Sequence, residues 1–106
     1  AANSMFVVND AKQRDKMAFA FYTAARKEIE EYEERATHLI QSGSQSPSIL
    51  EKLSLRIRAL EEKRSYYEEI LNKELTALDD QFTSLRYLSD ELQIRARGLR
   101  VKKKAA

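Results

Sequence analysis

Cysteine and tryptophan are absent, and two glycines and one proline are all the backbone punctuation that 106 residues carry. Each absence excludes something. Without cysteine there is no disulfide framework, no thiol nucleophile and no thiolate ligand for a metal. Two glycines and one proline cannot supply the tight turns of a sandwich or barrel, because each such turn wants a residue that tolerates positive φ or has its φ pre-set. Gly43 and Gly98 stand too far apart to form a glycine-rich phosphate loop. His38 is the one histidine. It pairs with Glu34 at four-residue spacing, whereas a di-iron bundle needs Glu and His three apart in two copies, and no nucleophile with a His partner can be assembled. The expectation is a non-enzymatic chain with no cofactor, no metal and no small-molecule substrate.

Long apolar runs are missing too. The longest lies around Met17 to Phe21, far short of the roughly 18 residues that cross a bilayer. The opening Ala1 to Met5 has neither a basic start nor an apolar stretch of signal-peptide length. Together with the absent cysteine, this points to a soluble, cytoplasmic protein.

What remains is helix-forming. Charged residues make up 34% of the chain and hydrophobic ones 42%, and the latter recur at helical spacing. The expected fold is all-α: one domain over 1–106, an antiparallel, coiled-coil-like helical hairpin with a first helix over about 10–42, a turn over 43–47 and a longer second helix over about 48–101. Asp10 is positioned to cap the first helix by accepting from the amide of Gln13, whose side chain can reach back as in a capping box. Gly43 can close that helix in the left-handed conformation. Pro47 suits the first turn of a helix capped by Ser46, and Ser48 with Glu51 offers an alternative capping box one register on, so this helix starts between Ser46 and Ser48. The stretch 42–47 is the one cluster of turn residues, so a single reversal is expected there and none near Asp79 and Asp80.

Within the second helix a seven-residue repeat runs through Leu50, Ile57, Arg64, Leu71, Leu78, Leu85, Leu92 and Leu99. Its companion series, Leu53, Leu60, Tyr67 and Leu88, is broken at Glu74 and Gln81, where Leu75 and Phe82 take over one position later. This reads as a seam that drifts and returns, as a 3.6-residue helix does against a 3.5-residue repeat. The helix would be about 75 Å long at ~1.5 Å per residue. Arg64, standing where the repeat wants Leu, is expected to pair with Glu28 or Glu30 of the first helix and to set register. The first helix carries a finer stripe of Ala18, Phe21, Ala25, Ile29, Tyr32, Ala36 and Leu39, widened by Phe19, Tyr22 and Ile40, which implies more than one neighbour.

The unequal helix lengths carry the functional expectation. Beyond about Gln81 the second helix has nothing opposite it, yet it still bears Phe82, Leu85, Leu88, Leu92 and Leu99. Exposing four or five such side chains forfeits on the order of 10 kcal/mol. These five are therefore the expected partner-binding residues, covered by a second copy in a homodimeric four-helix bundle or by another helical protein. The function that follows is a structural or protein-protein interaction module, a scaffold, chaperone or assembly subunit. An alternative rests on the tail. Residues 94–104 hold Arg95, Arg97, Arg100, Lys102, Lys103 and Lys104, six of the 19 basic residues and none of the 17 acidic ones, leaving 13 against 17 elsewhere. Such a tail can bind nucleic acid or an anionic membrane surface, although no aromatic residue is interleaved for base stacking. The acidic run Glu28, Glu30, Glu31, Glu33 and Glu34 reads as a solvated helix face with Glu31 and Arg35 at pairing distance.

Overall fold

A computed structural model describes residues 8–105, with side chains as far as Lys102. Three helices follow one another: α1 (Ala11–Gln41), α2 (Pro47–Leu71) and α3 (Asp79–Ala105). They pack as an elongated bundle of 59 × 29 × 16 Å, with no strand among the described residues.

The first reversal forms where its turn residues stand. Asp10 caps α1, but its carboxylate accepts from the amide of Lys12 at 3.0 Å and not from Gln13. At the far end Gly43 takes a φ of +68°. Its amide reaches the Ile40 carbonyl and the Ser44 amide reaches that of Leu39, the paired closure of a Schellman motif. Ser46 then caps α2 with Pro47 in its first turn. α1 and α2 run side by side in opposite directions, Phe21 packing on Tyr67 at 5.3 Å and Asp15 lying 3.6 Å from Lys73.

The second reversal corrects the expected 48–101 helix, which is two helices joined by a loop over 72–78. Asn72 adopts a left-handed φ of 48° and ψ of 48°. Its amide donates to the Glu69 carbonyl and that of Lys73 to Glu68, so the closure at Gly43 is repeated with Asn in the glycine position, the other residue that visits this conformation readily. The Glu68 carboxylate turns back to accept from the Leu75 amide at 2.8 Å. Leu71, Leu75 and Leu78 are all buried, anchoring the loop from the inside. The shift from Glu74 to Leu75 in the apolar repeat is therefore the reversal itself, not a drift along one helix. Asp79 and Asp80 open α3, where carboxylates favour the positive end of the helix dipole. α3 runs on through Gly98 to Ala105.

α2 and α3 make the most extensive contact of the three pairs. Near its middle Ser54 and Ser89 are both buried, their hydroxyl oxygens 2.7 Å apart, and the Ser54 hydroxyl also lies 3.2 Å from the Ser89 carbonyl. Small side chains there let the two backbones approach, and each hydroxyl finds a partner in place of water. α1 covers the seam with a face of mostly small residues, Ala18, Ala25 and Ala36 alternating with Phe21 and Ile29. Arg64 pairs with Asp79 of α3 at 3.0 Å, not with Glu28 or Glu30 of α1, and its guanidinium lies 4.5 Å from the centre of the Phe82 ring. The expected charge in the seam is present, but the second reversal supplies its partner.

Candidate functional site

The five side chains expected to wait for a partner have found one within the chain. Phe82, Leu85 and Leu92 are buried in the core, and Leu88 and Leu99 are half-buried against it. The overhang that left them without an opposite number does not exist, because folding back at Asn72 lays α3 along α2 and recovers the burial that one extended helix would forgo.

The basic residues of α3 are distributed between pairing and exposure. Arg95 donates to Glu91 at 2.8 Å, one turn back on the same helix. Arg100 reaches across to Glu51, linking the last turns of α3 to the second turn of α2. That hydrogen bond, reinforced by the guanidinium charge, holds the Glu51 carboxyl below the usual carboxylate range, with slight burial working the other way. Arg97 lies with Gln93 and the exposed Leu55 along a shallow groove between α2 and α3. Lys102 is exposed. The side chains of Lys103 and Lys104 lie outside the described residues. His38 sits near Glu30, Glu33, Glu34 and Thr37 on an open stretch of α1, and among the described residues no group of three or more His, Asp or Glu is placed to hold a metal ion.

A different surface emerges on the outside of α3. Its buried seam runs through Phe82, Leu85, Ser89, Leu92 and Ala96. Two residues after Leu85, Leu92 and Leu99 stand Tyr87, Ile94 and Val101, 73%, 62% and 61% exposed. Two residues are about 200° of helical turn, so these three form a second apolar stripe on the face pointing away from the bundle. Gly98 lies on the same face, four residues after Ile94 and three before Val101. Gly98 borders a cavity shared with Leu39, Gly43 and Leu50 beside the first reversal, but a Cβ added there would meet nothing within 4 Å, so no close approach by a described residue requires a glycine that costs about 1 kcal/mol in a helix interior. Apart from Arg86 and Arg100, which reach across to Glu61 and Glu51 of α2, the charged residues along this face divide by sign: Asp90 and Glu91 precede Ile94, whereas Arg95, Arg97 and Lys102 follow it. The signal in the sequence was a second seven-residue repeat, overshadowed by the stronger Leu series two residues earlier.

No helix among the described residues is long and apolar enough to cross a membrane. The chain belongs to a family of unknown function, DUF6744, whose model matches residues 1–98. Nothing among curated proteins or solved structures matches it.

Proposed function

We propose that this member of the DUF6744 family is a non-enzymatic interaction module, a helical bundle that docks a partner helix on the outer face of α3. One observation carries the reading: Tyr87, Ile94 and Val101 repeat the spacing of a helix-packing seam but stand exposed, opposite the seam that holds the chain together. A single exposed Leu or Ile on a surface needs no explanation, but three large side chains at seven-residue intervals along one helix form the knob pattern of a coiled-coil contact. The work expected of such a module is that of a scaffold or assembly subunit, and its partner is a helix of another copy or of another protein. Because each chain contributes three helices, a pair of chains would be a six-helix assembly, and the four-helix dimer expected from a two-helix chain falls away.

The alternative, anion binding by the basic end of α3, draws on Arg97 and Lys102. Arg95 and Arg100 are already engaged by Glu91 and Glu51, which weakens it. Binding to duplex DNA or to anionic vesicles that falls steeply with salt would favour it over the docking reading.

Position-specific photocrosslinking tests the docking reading. A photoreactive side chain in place of Ile94 should yield one discrete adduct with a helical polypeptide, either this chain or another from its source cell. The same group in place of Lys12, on the exposed start of α1, should not. Adducts of equal yield from both positions, or none from position 94, would contradict it.

A further inference from the structure

We infer that the helix docked on the outer face of α3 is α3 of a second copy, running antiparallel. This rests on the docking reading above and supplies its partner. The charge order of the helix is the first argument. Around the outer stripe, Asp90 and Glu91 lie before Ile94, and Arg97 and Lys102 lie after it, while Arg86 and Arg100 at the two ends are each engaged by a carboxylate of α2, Glu61 and Glu51. Two such helices laid parallel would set like charges together, whereas antiparallel packing sets the acidic half of each beside the basic half of the other.

Gly98 supplies the register. On the outer face Tyr87, Glu91, Ile94, Gly98 and Val101 follow one another at alternating intervals of four and three, the spacing of a two-helix seam. Placing Tyr87 of one copy over Gly98 of the other sets the largest side chain of the stripe against the one position without a side chain, twice by symmetry. In that register Ile94 packs beside the aliphatic part of Glu91 from the other copy, and Asp90 comes opposite Arg97. Asp90 and Arg97 are seven residues apart on one helix, about 10.5 Å along its axis at ~1.5 Å per residue, too far to pair within a chain. The contact is isologous and closes on itself, so it makes a dimer and not a filament. One helix face against another covers less than the roughly 800 Å² per partner of a standard interface, so the dimer is weak and concentration-dependent.

Charge reversal tests the pairing directly. The full chain, examined by sedimentation at millimolar concentration, should approach twice its 12.3 kDa mass. Asp90→Arg and Arg97→Asp should each weaken the dimer about tenfold or more, the effect of setting like charges opposite each other at two symmetric positions. The double variant should return it to near the original strength. Both residues are exposed, so the variants keep the fold, which circular dichroism verifies. Gly98→Leu should keep the monomer folded and abolish the dimer, since the space around Gly98 is open in the single chain. A wild-type chain that stays monomeric at millimolar concentration overturns the inference. So does a double variant no tighter than the single ones. In either case a discrete adduct from Ile94 to a different polypeptide would leave the docking reading standing, whereas the absence of any adduct would remove both.

Discussion

The inner and outer faces of α3 use the same spacing for opposite ends. Leu85, Leu92 and Leu99 point into the bundle, the first two fully buried; Tyr87, Ile94 and Val101, two residues later in each case, stand in solvent. Periodicity alone does not tell a folding seam from a docking seam, because both need a row of knobs on one side of a helix. The difference lies in composition. Aliphatic Leu fills the inner row, where α1 and α2 close over it, whereas the outer row mixes an aromatic residue, two β-branched ones and a glycine, and is flanked by acidic Asp90 and Glu91 before Ile94 and basic Arg97 and Lys102 after it.

If that division is real, substitutions on the two faces must separate stability from association. The largest effect is expected at Leu92, which is wholly buried: Leu92→Ala should destabilise the fold by about 2 to 5 kcal/mol in chemical denaturation. Putting Asp at both 85 and 92 should unfold the chain, where one overhanging helix would lose only its partner. Next comes the loop that brings the inner face home. Asn72 holds a left-handed φ of 48°, so Asn72→Val should cost about 1 to 2 kcal/mol, and Asn72→Gly should be tolerated. On the outer face, Ile94→Lys should change stability by no more than about 0.5 kcal/mol while removing the crosslinked adduct. An outer-face substitution as costly as Leu92→Ala would erase the distinction between the faces.

The smallest effect concerns the bond from Arg100 to Glu51. Because the folded-state pKa of Glu51 lies below its ordinary value of 4.5, the stabilisation it gives is fully present above that value and is lost as pH falls through the lowered one. Glu51→Gln should therefore differ slightly from the parent chain near neutral pH and not at all in strong acid. A difference that grows as the pH is lowered would have the wrong sign.

Much of this architecture was legible in the residues, and the exceptions are instructive. The helical class followed from composition, and the first reversal from Gly43, Ser46 and Pro47, whose backbone preferences are strong enough to act without tertiary help. The second reversal was not legible, because Asn72 is compatible with both a helix and its closure. What decides between them is long-range: Leu75 and Leu78 buried in the core, Glu68 turned back on the loop, and Arg64 held between Asp79 and Phe82. The phase shift at Leu75 was visible, but a drifting seam and a broken one give the same pattern. The site followed the same course. In one extended helix the Leu series would need an external partner and the weaker repeat behind it would have no role; it has one because α3 folds back and buries the stronger series within the chain.

The outer face exists as a surface only because α3 returns along α2, so the distance between those helices is the most direct test. Lys52 near the start of α2 and Arg97 near the end of α3 are both exposed, and spin labels there leave the core untouched. Folded back, the two helix axes lie about 8 to 10 Å apart, and with the reach of the labels the measured distance should fall below about 25 Å. A single helix through Asn72 would separate the labels by about 68 Å at ~1.5 Å per residue; a distance near that value would return the Leu row to an external partner and leave the outer stripe without its role.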